Sequence, residues 1–348
     1  MESPKHEMIE FGSDFHKIEG FKDYSNPLNG YKQYLLLADG RQALNILIKT
    51  NCWKRIWIPE YFCYDVVDSI RKTGLEVLFY EDYPGNDDSK SISSINFKKS
   101  DVLLRMNYFG LRGWRDNTYV EIPVIEDHSH SPFGYWAKSS NADWCIASLR
   151  KTLPIAEGGI LWSPKGKHLN VHLKLTDENK DMSIRRWQAM LNKSKYLEGS
   201  LRDKHSFRDE FVSTETIFDE LAVSKIDEES ERVLQSFDIK RWIEHKRTNW
   251  EILSDLKSNL FRALSCEDEG DYFSFVILCR SNEIRDKIRR VLIDHSIYPA
   301  ILWQVPEQTS SKVRDISSRL LSIHCDARYS FEDIKQLKSI ISKVINNV

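Results

Sequence analysis

Lys151 stands three residues after Ser148 and seven before the first glycine of the pair Gly158-Gly159. The run is Ser148-Leu149-Arg150-Lys151-Thr152-Leu153-Pro154-Ile155-Ala156-Glu157-Gly158-Gly159. Upstream, the apolar residues Val124-Ile125 lead into Glu126-Asp127-His128-Ser129-His130. A lysine, a nearby hydroxyl and an acid at the end of a strand are the groups needed to hold pyridoxal phosphate. The amine forms a Schiff base with the aldehyde, and the acid pairs with the pyridinium nitrogen and keeps the ring an electron sink. A nucleophilic lysine must be partly deprotonated, which desolvation or a cationic neighbour such as Arg150 brings about. Asp127 is the candidate acid. His130, three residues on, is placed to orient that acid or to touch the cofactor, and Ser148 is a candidate phosphate ligand.

A phosphate also needs backbone donors. Asp39-Gly40-Arg41-Gln42-Ala43-Leu44 opens a helical pattern. Free N–H groups and the helix dipole at such a point attract an anion, and a glycine permits its close approach. Gly40, Arg41 and Gln42 are therefore candidates. A planar ring needs a flat partner, and Tyr61, Phe62 and Tyr64 with Cys63 follow an apolar run. Each residue also has an ordinary role open to it: a surface Lys-Arg pair, a strand-end acid, a turn glycine, a packed aromatic.

The elements that must position these groups read as follows. Tyr34–Ala38 is a short apolar segment, and Ala43, Leu44, Ile46, Leu47 and Ile48 have helical spacing. Arg55–Pro59 reads as a strand, Asp65–Thr73 as a helix closed by Gly74, and Glu76–Tyr80 as the next strand. Asp101–Met106, Pro123–Glu126, Trp144–Ala147 and Gly159–Trp162 complete the series. Apolar runs without alternation, separated by helices and loops, indicate a largely parallel, buried sheet. Ligands on such sheets bind at the carboxyl ends of strands, where Asn107, Asp127 and the Ser148–Lys151 segment all fall. From about 165 to 260 the chain reads as charged and helical, with a long helix over Phe237–Leu256. The remainder reads as a strand at Tyr272–Leu278, a helix at Glu283–His295, an extended stretch at Tyr298–Trp303, a strand at Leu320–Ile323 and an amphipathic helix over Phe331–Val348. The expectation is an α/β large domain over 1–250, with an arm over about 1–30, and an α+β domain over 251–348.

Composition is that of a globular protein: 348 residues, 41% hydrophobic, 29% charged, net charge −2. That balance gives no reason to expect nucleic acid or an anionic membrane. The six cysteines are scattered without a C-x-x-C pair, so neither a disulfide framework nor a metal site is expected. The first residues lack a signal-peptide core, and no window is long and apolar enough to span a bilayer, so a cytoplasmic location is expected.

Six segments together resemble the DegT/DnrJ/EryC1 family of sugar aminotransferases, pyridoxal-phosphate enzymes of fold type I. Gly40–Leu44 is similar to the family's S-G-T-x-A-L turn, and Ile58–Cys63 to its P-x-[YF]-T-[FW] segment. Asn107–Gly110 is similar to H-x-[YF]-G, and Glu126–His130 to E-D-A-A-[QH]. Lys151–Gly159 is similar to K-x-[IL]-x-x-x-[ED]-G-G, and Arg328–Ile334 to R-[YF]-[ST]-x-x-[DE]-[IV]. The resemblance implies a seven-stranded, mostly parallel sheet with helices on both faces, a smaller C-terminal domain and a homodimer. It implies Lys151 as the cofactor lysine and Asp127 against the pyridine nitrogen. The implied reaction moves an amino group from a donor such as glutamate to a keto acceptor, a nucleotide-linked keto sugar of the kind used in polysaccharide biosynthesis. The chain departs from the pattern at several places. Ser148 is three residues before the lysine rather than five, Asn107 replaces a histidine, and the family's N-x-R-[ML] stretch has no counterpart near Ala222–Ile226. Phe62 stands at the threonine, so the ring-stacking residue is open between Tyr61, the first choice, and the position-matched Cys63. Two other readings stay open: a pyridoxal-phosphate lyase or dehydratase, whose related enzymes carry histidine where Lys151 stands, and a non-catalytic cofactor-binding homologue.

Overall fold

The computed structural model describes residues 10–23, 25–218, 221–267 and 271–347. In chain order its strands and helices begin with β1 (Phe11–Gly12), β2 (Leu35–Leu37), α1 (Gly40–Thr50), β3 (Arg55–Pro59), α2 (Tyr64–Lys72), β4 (Glu76–Tyr80), α3 (Ser89–Ser93) and β5 (Asp101–Met106). Then come β6 (Val124–Asp127), α4 (Tyr135–Ser139), β7 (Trp144–Ser148), β8 (Gly159–Trp162), α5 (Asp177–Leu197), α6 (His205–Phe218), α7 (Glu228–Gln235) and α8 (Ile239–Ser254). The last are β9 (Phe261–Ala263), β10 (Phe275–Cys279), α9 (Asn282–Asp294), β11 (Ile297–Tyr298), α10 (Ser311–Arg319), β12 (Leu320–Ile323) and α11 (Phe331–Asn347).

The large sheet has seven strands in the order β2-β8-β7-β6-β5-β3-β4. The neighbours from β7 to β4 pair in parallel, and β8 runs antiparallel to both β7 and β2. Both faces are covered, as the absence of alternation requires. On one face Leu37, Val102, Leu104, Ile125, Ile146 and Leu161 pack with Ala43, Leu44 and Leu47 of α1 and Val67 and Ile70 of α2. On the other, Leu36, Leu103, Val124, Cys145, Ala147 and Ile160 pack with Ala189 and Met190 of α5, Phe207 and Phe211 of α6 and Trp242 of α8. The fold class expected from the sequence is the one observed.

A three-stranded antiparallel sheet, β12-β10-β9, carries the C-terminal part, with α8, α9 and α11 against it. The helices α3, α4 and α10 escape the sequence reading, and so do two strands. β9 is three residues long with a single buried side chain, too short for a periodic signal. β1 pairs in parallel with β11, so Phe11 joins the C-terminal core and stacks on Tyr329 at 3.8 Å. The start of the chain is thereby tied across the molecule. Residues 1–9 of the expected arm, and Val348 of the expected last helix, lie outside the described residues. Among the described residues no helix is long and apolar enough to cross a membrane.

Candidate active site

The segment carrying Lys151 is set by backbone bonds at the carboxyl end of β7. Ser148 N–H donates to the Ser129 hydroxyl at 2.9 Å, and Leu149 N–H donates to the Gly158 carbonyl at 2.8 Å. A single 3₁₀ turn, Leu149–Lys151, then swings the lysine out from the strand end. The glycine pair makes this approach possible. Gly158 has φ +145°, and a Cβ there would lie 2.9 Å from Ile155 Cδ1. A Cβ on Gly159 would lie 2.1 Å from the Asp39 carbonyl oxygen, so β8 begins with its backbone against the start of α1. Glu157, before the pair, is a buried strut. It accepts from Asn179 Nδ2 at 3.0 Å and Asp227 N–H at 2.6 Å. Burial, reinforced by Asp227, pushes its carboxyl up to about 9.

Lys151, Asp127, His130, Ser148, Gly40 and Arg41 line one cavity of about 430 Å³. Asp127 ends β6, beside β7, and one of its oxygens accepts from Ser129 N–H at 2.8 Å. His130 is buried, and its Nδ1 accepts the Phe109 N–H at 3.0 Å, leaving Nε2 to carry the proton of the neutral ring. Burial first, then the charge of Lys151, hold its pKa well below the usual histidine value. Phe273 and Trp303 stack on it at 4.4 and 5.3 Å and also line the cavity.

Two candidates are placed elsewhere. The Gln42 side chain turns into the protein, donating to the Ala222 carbonyl at 3.2 Å and accepting Ser224 N–H at 3.0 Å, so it ties α1 to the following chain. Tyr61 is fully buried behind Trp303, its hydroxyl donating to the Leu302 carbonyl, and it is not on the cavity wall. Cys63, the position-matched residue, is on the wall. Glu60-Tyr61 follows β3 into the gap beneath the C-terminal part, where the ring fills core rather than cavity.

Sequence reasoning missed several wall residues. Asp39 caps α1, its Oδ1 accepting Gln42 N–H at 2.9 Å while Oδ2 is buried without a partner. Burial raises its pKa, against the opposing charges of Arg41 and Arg150. Arg186 and Glu215 come from α5 and α6, Asp14 from the first described residues, and His324 and Arg328 from beyond β12. Arg328 opens the motif segment Arg328–Ile334, where no site role was read from it, and the other four belong to no motif. They meet only because long-range packing brings those segments over the carboxyl ends of the sheet.

Among described side chains, Glu126, His128 and Cys145 are the one metal-capable cluster, buried with ligand atoms within 4.8 Å of one another. Glu126 already bonds His128 Nε2 at 3.0 Å and Asn117 Nδ2 at 2.7 Å, which explains the group as a hydrogen-bonded support under Asp127.

No protein-family model matches the chain. No curated protein matches it either. Solved structures do. The chain is similar to 3-amino-5-hydroxybenzoic acid synthase at 14% identity, covering 94% of this chain and 90% of that one, with a TM-score of 0.63. It is similar to a sugar aminotransferase, Spr1654 of Streptococcus pneumoniae in its pyridoxal-phosphate form, at 11% identity, 97% and 93% coverage and a TM-score of 0.62. A third is the aminotransferase TlmJ of Streptoalloteichus hindustanus, at 12% identity, 90% and 86% coverage and a TM-score of 0.61. The chain therefore has the fold of the type-I pyridoxal-phosphate aminotransferases, spanned over nearly its whole length.

Proposed function

We propose that this chain is a pyridoxal-phosphate-dependent aminotransferase of the DegT/DnrJ/EryC1 group. It would move an amino group from an amino-acid donor, glutamate by preference, to a nucleotide-linked keto sugar. The observation that carries the reading is that Lys151 and Asp127, at the carboxyl ends of adjacent parallel strands, line one cavity with the start of α1. The fold supports it. So do the similar structures, among them a sugar aminotransferase with bound cofactor and DesI in the presence of its TDP-sugar product.

The residues fit the cofactor. The wall offers an amine, a carboxylate, an imidazole N–H, a hydroxyl and guanidinium groups around a helix start. The one discordant group is Asp39, whose carboxyl would oppose a phosphate; burial raises its pKa, against the charges of Arg41 and Arg150. When bound, pyridoxal phosphate supplies an aldehyde for the amine and a ring that draws electrons from the bond to be broken. The chain supplies the rest. Asp127 holds a proton on the ring nitrogen, and His130 offers an Nε2–H donor that stays in place because its ring is stacked and its Nδ1 is occupied. Ser148, Gly40 and Arg41, on the same wall, would hold the phosphate. Lys151 Nζ would be the group that takes and returns the proton that moves during transfer.

Under the same reading, residues 1–250 form the cofactor-binding part and 251–348 the smaller domain. The protein would work as a cytoplasmic homodimer in a polysaccharide or related sugar pathway. The purified protein should turn yellow with pyridoxal phosphate and lose the visible band as Lys151→Ala. Glutamate should convert the band to that of the amine form, and a keto sugar nucleotide should restore it. A colourless protein, or one that glutamate leaves unchanged, would contradict the assignment.

A further inference from the structure

On the α5–α6 side of the cavity three guanidiniums surround one carboxylate. Arg150 Nη2 donates to Glu215 Oε1 at 2.6 Å, Arg41 Nη2 lies 3.8 Å from the same oxygen, and Arg186 Nη1 lies 3.7 Å from Oε2. The arginines are the buried members: their side chains are 16% (Arg41), 12% (Arg150) and 5% (Arg186) exposed, against 49% for Glu215. A surface ion pair would bury neither partner, so the cations are held here by the protein. Arg150 lies over the Phe218 ring at 4.9 Å, and its Nε is buried with no partner.

The position of Arg150 matters. It is two residues after Ser148, and a Cβ on Gly40 would lie 3.0 Å from Ser148 N, so the start of α1, Ser148 and Arg150 converge. That helix start is a weakened anion site. Asp39 takes the Gln42 N–H and adds an acid where a dianion would sit. A phosphate there needs an added cation, and the planar fork of arginine suits a phosphate better than an ammonium does.

We propose that Arg150, oriented by Glu215, is a ligand of the cofactor's phosphate and offsets the acid Asp39. This rests on the pyridoxal-phosphate reading above. Glu215 is then a positioning residue: burial alone would raise its carboxyl, but Arg150 and Arg186 outweigh that and hold it ionised at about 2.

The test is equilibrium binding of pyridoxal phosphate and of pyridoxal, which lacks the phosphate, followed by absorbance. The wild type should prefer pyridoxal phosphate. Arg150→Gln should weaken pyridoxal phosphate by roughly tenfold to a hundredfold, the worth of a hydrogen bond to a charged group, and leave pyridoxal unchanged. Arg150→Lys, which keeps the charge and loses the fork, should give a smaller loss of the same phosphate-specific kind and guards against misfolding of the glutamine variant. Equal weakening of both ligands, or no weakening, would overturn the role of Arg150. Failure of the wild type to bind either ligand through Lys151 would instead overturn the cofactor reading, and this proposal with it.

Discussion

The backbone N–H of Phe109 donates to Nδ1 of His130 at 3.0 Å, and Phe109 makes that bond from the left-handed region, at φ +55°. That backbone is costly for a bulky residue and persists only where the surroundings impose it. Here the surroundings are plain: Gly110 follows at φ +67°, and a Cβ there would lie 2.0 Å from the Asp271 carbonyl oxygen. The turn is held tightly against the C-terminal part, and it presents its N–H to the imidazole. His130 is thereby fixed in both plane and tautomer.

His130 should accordingly remain neutral, protonated on Nε2, at pH values where an ordinary histidine is charged. Nitrogen-15 chemical shifts of the ring between pH 7 and pH 5 would report this. The unfolded chain takes up a proton near the ordinary histidine value and the folded chain does not, so this residue's contribution to stability is lost as pH falls below about 6.5. His130→Phe should keep the stacking, flatten that part of the acid dependence and lower transfer activity by about tenfold or more through loss of the donor.

Glu157 has the opposite linkage. Its folded carboxyl is raised to about 9, so the folded state keeps a proton that the unfolded state loses above its ordinary value of 4.5. The group costs stability as pH rises through that window, by about 1.4 kcal/mol per pH unit until the folded carboxyl ionises. Glu157→Gln keeps an acceptor for Asn179 and Asp227 N–H and removes the titration. It should raise the midpoint of thermal unfolding, and by more at pH 8 than at pH 5. An equal change at both values would contradict this account of Glu157.

Gly159→Ala should be severely destabilising. Its Cβ would lie 2.1 Å from the Asp39 carbonyl oxygen, 2.2 Å from its carbon and 2.8 Å from Gly40 N, and backbone cannot yield as a flexible side chain can. A loss of about 3 kcal/mol or more is expected, at or beyond the usual range for overpacking, readable by denaturant unfolding. In the surviving folded fraction the start of α1 should be displaced, weakening binding of pyridoxal phosphate more than of pyridoxal.

Much of the scaffold was legible because buried parallel strands leave a strong, local mark. Asp101–Met106 is buried at every position, and the apolar runs at 55–59, 144–147 and 159–162 all became strands of the large sheet. That Lys151, Asp127 and Ser148 would share one cavity was legible because each ends such a strand or lies within three residues of its end. Arg186 and Glu215 were not, because each sits on a long helix whose charged residues look alike until the cavity selects one face. Tyr61 shows the reverse error. An aromatic residue at the right point in a motif was read as a ring partner, yet its hydroxyl reaches Leu302 and its ring fills core, while the wall position belongs to Cys63. Asp39 stood beside the glycine in the quoted turn, but only the structure shows its second oxygen buried without a partner.

The most direct test of the account is borohydride reduction of the protein incubated with pyridoxal phosphate, followed by peptide mass spectrometry. The account requires one stable pyridoxyl-phosphate adduct, on the peptide containing Lys151, and none on the Lys151→Ala variant. A principal adduct on another lysine, or no adduct on protein that remains folded, would contradict it.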